Sequence, residues 1–184
     1  MPNKTAMKKL FVLAVAAFLT VGVASAQHHH GNCGQCPNHA KHQAAAQAKP
    51  QVNADGIDMA IVRAFPTVKS VKKADKWTEV YDVDSKLLGY AVYSKPASDG
   101  IKGYNGETPL LIALSPKRII LGVWLLPNQE TPKFAQQVEA AGFYKNWNGL
   151  TVKKALKKEV DAVSGATFTS TAVMKSFRAA LEKL

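Results

Sequence analysis

The chain has 184 residues, enough for one domain with a substantial hydrophobic core. Its formal net charge is +11, yet the positive residues are dispersed or lie in short clusters (Lys72-Lys73, Lys153-Lys154, Lys157-Lys158) and form no arginine-rich groove, which argues against nucleic acid as a partner. All five histidines and both cysteines fall before residue 43, so residues 54–184 lack the commonest general acid–base residue and any thiol nucleophile; with no carboxylates paired at an interpretable spacing, hydrolysis is poorly supported.

Lys4, Lys8 and Lys9 precede an apolar run from Leu10 to Val23, which ends at Ala24-Ser25-Ala26. A charged start, a short apolar middle and an A-x-A site predict a signal peptide over residues 1–26, cut after Ala26, and a protein exported to the periplasm or beyond. The fourteen-residue run is short for a bilayer span. Removing the leader takes away three lysines and no acid, which lowers the charge from +11 to +8. That charge permits at most a peripheral attraction to anionic headgroups or to an acidic redox partner.

Residues 27–53 read as a flexible tail rich in His, Gln, Ala and Asn, with too few large apolar side chains to fold alone. The tail carries His28, His29, His30, Cys33, Cys36, His39 and His42, a set able to hold a transition metal through thiolate and imidazole. Its alternatives are a small Cys33–Cys36 disulfide loop or an idle tail. Pro37 after Cys36 excludes a c-type haem site, and the spacing fits no standard zinc module.

The folded part, residues 54–184, opens with Asp55 as the N-cap of a short helix bearing Ile57, Ile61 and Phe65, closed by Pro66. Strands are predicted over 69–73, 77–83 and 87–94, with Asp84-Ser85-Lys86 as a hairpin turn. After a glycine-bearing loop, 109–115 and 118–126 are apolar nearly throughout and read as paired central strands buried on both faces. Thr131-Pro132 predicts a helix start, with Thr131 as N-cap, and Gly142 its end. An aromatic loop (143–149) and a short basic amphipathic piece (152–158) follow. The last helix places Val173, Phe177 and Leu181 on one stripe. The sum is a single α+β domain: a mostly antiparallel, curved sheet with helices packed against it.

Just before that helix, Ser164, Thr167, Thr169 and Ser170 crowd around Gly165. A helix start offers unpaired N–H groups and partial positive charge, which attract phosphate; in the plainer reading, Thr169 or Ser170 simply caps the helix. The run Asp161-x-x-Ser164-Gly165-Ala166-Thr167, followed by Thr169-Ser170, resembles the flavinylation motif of the FMN-binding domain family. That family includes the flavin-bearing C and G subunits of the sodium-pumping NADH:quinone oxidoreductase and Rnf complexes. Two further landmarks stand in order, Gly103-Tyr104-Asn105-Gly106 and Glu130-Thr131-Pro132, although Lys133 replaces the glycine that usually follows the latter. The resemblance covers residues 75–184.

The resemblance implies FMN bound covalently, through a phosphoester, to Thr167, installed by an extracytoplasmic, FAD-dependent flavin transferase. It also implies electron exchange with a membrane complex or reductase. Gly165 and Ala166 would leave room for the transferase, and Asp161 would orient the loop or be read by it, unless it is only a solvated acid. Ser164, Thr169 and Ser170 would bond the phosphate, while Tyr104, Glu130 and Thr131 would meet the flavin ring. Trp124, Phe143, Tyr144 and Trp147 are further aromatic candidates. Two rival functions stand beside the electron carrier: a flavin-dependent reductase acting directly on a small substrate, and a metal-binding protein using the tail.

Overall fold

The computed structural model describes residues 51–184. The predicted signal peptide and the seven tail residues expected as metal ligands lie outside the described residues. Among the described residues no cluster of His, Cys, Asp and Glu could hold a metal, and no helix is long and apolar enough to cross a membrane.

Five strands form an open antiparallel sheet in which each pairs with the next: β1 (Ser70–Lys73), β2 (Thr78–Tyr81), β3 (Leu87–Tyr93), β4 (Leu110–Leu114) and β5 (Ile120–Leu125). Side chains alternate across the sheet, so β4 feeds two cores at once. Leu110, Ile112 and Leu114 point into the larger core, while Leu111 and Ala113 point into the smaller. All five β4 residues are buried, as expected for a strand covered on both faces. The matching expectation for β5 needs correction: it is an edge strand. Its pairing slips between Ala113↔Gly122 and Leu114↔Ile120, leaving Leu121 unopposed as a bulge and 46% exposed. Only the start of that edge is covered, by a bond from Ile120 N–H to Leu150 C=O (2.9 Å) and one from Gly149 N–H to Ile120 C=O (2.8 Å). The far edge, β1, is exposed throughout and carries Lys72 and Lys73, charges that discourage edge-to-edge pairing.

The small core is roofed by α1 (Met59–Ala64) through Ile57, Ile61 and Phe65. The cap of α1 is Asp58, not Asp55: Asp58 Oδ1 accepts from Ala60 N–H at 2.8 Å. Asn53 takes the preceding turn by accepting from Asp55 N–H and Ile57 N–H, and Asp55 instead pairs with Lys69. The backbone is tied in from Gln51, whose C=O accepts from Met59 N–H.

The large core lies under α2 (Pro132–Ala140), a short 3-10 turn (Phe143–Trp147), α3 (Val152–Lys157) and α4 (Thr167–Leu181). The Val173/Phe177/Leu181 stripe is buried as its spacing predicts. Phe177 stacks on Trp147 with ring centroids 4.2 Å apart, and Phe143 meets Trp147 edge-on at 5.6 Å. This packing holds α4 rigidly against the sheet and so fixes where its N-terminus points.

Candidate functional site

Three segments distant in sequence meet at the N-terminal ends of α2 and α4. The first is the tight loop 103–106, closed by a bond from Gly103 N–H to Gly106 C=O at 2.8 Å. The loop lies against the second segment, Gln129-Glu130-Thr131. Asn105 Nδ2 donates to Gln129 C=O (2.9 Å), and Asn105 N–H donates to Glu130 Oε1 (3.1 Å). Thr131 N–H donates to the same oxygen at 2.8 Å. Glycine at 103 is a steric requirement: a Cβ there would sit 2.1 Å from Glu130 Oε2 and 3.1 Å from Thr169 Cα. That contact brings in the third segment, the first turn of α4.

The approach to α4 turns at Gly165, whose φ of +77° is a left-handed conformation that favours glycine. Ala166, buried and without a side chain able to cap, stands at the N-cap. Neither Thr169 nor Ser170 caps the helix, which corrects the plainer sequence reading. They are the third and fourth helical residues, and both are fully buried. Ser170 Oγ accepts from Val163 N–H (3.0 Å) and lies 3.0 Å from Ala166 C=O, which pins the incoming loop onto the helix. With no cap, the N–H groups of Thr167, Phe168 and Thr169 have no intrahelical acceptor and point out of the helix end.

Burial divides the hydroxyls sharply. Ser164 and Thr167 are exposed, whereas Thr169 and Ser170 have no solvent access. Gly165 and Asp161 are exposed too. Buried polar atoms normally find a partner; here Glu130 Oε2, Thr169 Oγ1 and the amide oxygen of Gln137 are buried with no hydrogen-bond partner. Gln137 belongs to the same corner, because its Nε2 lies 3.4 Å from where a Gly165 Cβ would be. Beside this unsatisfied interior sit two exposed aromatics. Tyr104 is 63% exposed and meets Phe134 of α2 edge-on at 4.8 Å, and Phe168 is 70% exposed.

The remaining candidates are placed elsewhere or turned differently. Phe143 and Trp147 are core residues, and Trp124 packs in the small core on the other face of the sheet. Tyr144 leans on the large core with its hydroxyl buried; burial and the nearby Glu139 charge push that hydroxyl well above the usual phenol range. Thr131 occupies the N-cap position of α2, but its side chain makes no capping bond. The Glu130 carboxyl, expected at a ring edge, is turned inward: one oxygen holds the 103–106 loop and the other lies under Gly103. Sequence alone singles out neither Phe168 nor Gln137. Phe168 stands nine residues before Phe177, half a turn off the buried stripe, so helical periodicity marks it as outward. Nothing in the local sequence marks Gln137.

The geometry is that of an anion seat on a helix end, flanked by an exposed hydroxyl and surface aromatics. The FMN-binding domain family matches residues 103–182, the span from the glycine loop to the end of α4. Residues 103–182 therefore belong to that family. Relatives agree. The chain is 29% identical over 147 residues to the G subunit of a proton-translocating ferredoxin:NAD(+) oxidoreductase complex from Clostridium ljungdahlii, covering 76% of each protein. It is 28% identical over 116 residues to the G subunit of a Na(+)-translocating ferredoxin:NAD(+) oxidoreductase complex from Acetobacterium woodii, covering 56% of this chain and 53% of that one. The G subunit of an ion-translocating oxidoreductase complex from Haemophilus influenzae is 35% identical over 104 residues, at 50% and 47% coverage. Against the last two the chain spans about half of their length. The crystal structure of Shewanella oneidensis NqrC aligns with a TM-score of 0.42 at 24% identity, over 70% of each chain.

Proposed function

We propose that the protein is an exported electron carrier whose FMN is esterified, through its phosphate, to Thr167. The observation that carries this reading is the exposure of Thr167 at the first position of α4, beside three N–H groups with no intrahelical acceptor, while the neighbouring hydroxyls Thr169 and Ser170 are buried. A phosphodiester anion placed there meets the positive end of a fifteen-residue helix. Gly165 and Ser164 leave the approach to Thr167 open to a modifying enzyme.

Threonine is a weak nucleophile without a base, and among the described residues no histidine is available to activate it. An extracytoplasmic flavin transferase supplies that base. The Thr167 oxygen takes the FMN phosphoryl group of FAD, AMP leaves, and the hydroxyl proton passes to the transferase. FMN supplies the redox chemistry; the chain's own part is to hold and orient it. Tyr104 and Phe168 offer aromatic faces beside the anchor, and Glu130 is a positioning residue that locks the Tyr104 loop against α2 and α4. An ester bond also keeps the cofactor in place outside the cell, where a dissociable FMN would be lost by dilution.

The relatives named above are subunits of membrane ion-translocating complexes. By that analogy the electron partner is a membrane oxidoreductase or a related reductase, with an acceptor beyond the cytoplasmic membrane. Protein co-expressed with a flavin transferase is expected to give a yellow fluorescent band that survives denaturing electrophoresis. Thr167→Val removes the hydroxyl at constant shape and is expected to abolish the band; a band of unchanged intensity rejects the anchor.

A further inference from the structure

Helix α3 is short and strictly two-sided. Val152, Ala155 and Leu156 face the large core, while Lys153, Lys154 and Lys157 are exposed, and exposed Lys158 follows directly. Across an open groove of about 580 Å³ the β4–β5 turn adds Lys117 and Arg118, both exposed. Val152, Leu156, Leu181 and Leu184 line that groove, and Glu182 is its single acid. The ion pairs among the described residues are Lys69–Asp55, Lys95–Asp99 and Lys95–Glu107, so none of these six cations joins one. Two have other partners: Lys158 donates to Asn146 C=O, and Arg118 lies 4.9 Å over the Trp77 ring. No aspartate or glutamate occurs from 140 to 158. Glutamine would serve α3 as a helix former about as well as lysine, so the fold does not demand this concentration of like charge.

We infer that this face docks on an anionic bilayer surface. Five of the six cations are lysines, compact hydrated charges suited to a diffuse headgroup layer, and the one arginine fork is already engaged with Trp77. The apolar side chains line a groove rather than project from it, so the contact is electrostatic and peripheral without insertion. The groove lies at the C-terminal end of α4, whereas Thr167 opens its N-terminal end. Fifteen helical residues separate the two ends by about 22 Å. Docking through α3 therefore leaves the Gly103–Glu130–Thr167 corner off the bilayer and open to a soluble or protruding partner.

The test is co-sedimentation of the chain as exported, without residues 1–26, with phosphatidylglycerol-rich vesicles and with vesicles of phosphatidylcholine alone. Binding to the former only, weakening as salt shortens the screening length, is expected. Each cation near a charged surface contributes about fivefold to partitioning, so the triple variant Lys153→Gln, Lys154→Gln, Lys157→Gln is expected to lose about 100-fold. The control triple Lys86→Gln, Lys102→Gln, Lys133→Gln makes the same change in net charge at dispersed exposed sites and should bind nearly as the parent does. Equal losses in both triples, or indifference to lipid charge, overturn the proposal. Binding to poly-glutamate but not to vesicles overturns it in favour of an acidic protein partner. The readout needs no flavin, so it stands or falls separately from the Thr167 anchor.

Discussion

The two ends of α4 are built on opposite terms. Toward its C-terminus, Phe177 lies stacked on Trp147, and Val173 and Leu181 are buried. At its N-terminus the helix has no side-chain cap, buries Thr169 Oγ1 and Glu130 Oε2 without partners, and leaves Phe168 and Tyr104 in solvent. One end is optimised for stability; the other carries features that cost stability and that packing alone does not explain. Such local departures mark sites kept for function. The same helix thus serves as an anchor at one end and as a seat at the other.

Substitutions at the two ends should separate these roles. Phe177→Ala opens a cavity beneath the best-packed ring pair and is expected to cost about 3–5 kcal/mol, read as a fall in the denaturation midpoint. A loss below about 1 kcal/mol would mean that the stacked core is not what holds α4. Glu130→Ala removes the acceptor shared by Asn105 N–H and Thr131 N–H and should cost about 1–3 kcal/mol. It should also expose the 103–106 loop to proteolysis; a loop as resistant as in the parent would remove Glu130 from its positioning role. Thr169→Val has the smallest effect on stability. It deletes a buried hydroxyl without a partner at constant shape, so the change should stay within about 1 kcal/mol and fall on the stabilising side. A clear destabilisation would reveal a partner for Thr169 and erase the contrast between the ends.

Much of the architecture was legible in the sequence because it rests on continuous apolar runs and strong punctuation. The β4 run 110–114, Pro132 at a helix start and the Val173/Phe177/Leu181 stripe each signal one outcome. What misled were local choices between equivalent groups. Asp55 and Asp58 are both competent caps, and the bonds made by Asn53 decide between them. β5 is as apolar as β4, but the Leu121 bulge and its edge position depend on pairing that no single strand encodes. At the site, the resemblance singled out Thr167 just before the last helix. The structure makes it the first residue of α4 and adds that it is exposed while Thr169 and Ser170 are buried, a difference no local pattern encodes. The inward turn of Glu130 likewise follows from how closely Gly103 approaches α4, a tertiary contact between residues far apart in the chain.

The most direct measurement is peptide mass mapping of the chain after co-expression with a flavin transferase that is active on a known substrate. Trypsin releases residues 159–175, which hold every hydroxyl of the motif. The expected result is that peptide heavier by one FMN less a water, with fragmentation placing the added mass on Thr167. An unmodified peptide, or an adduct on Ser164, Thr169 or Ser170, contradicts it.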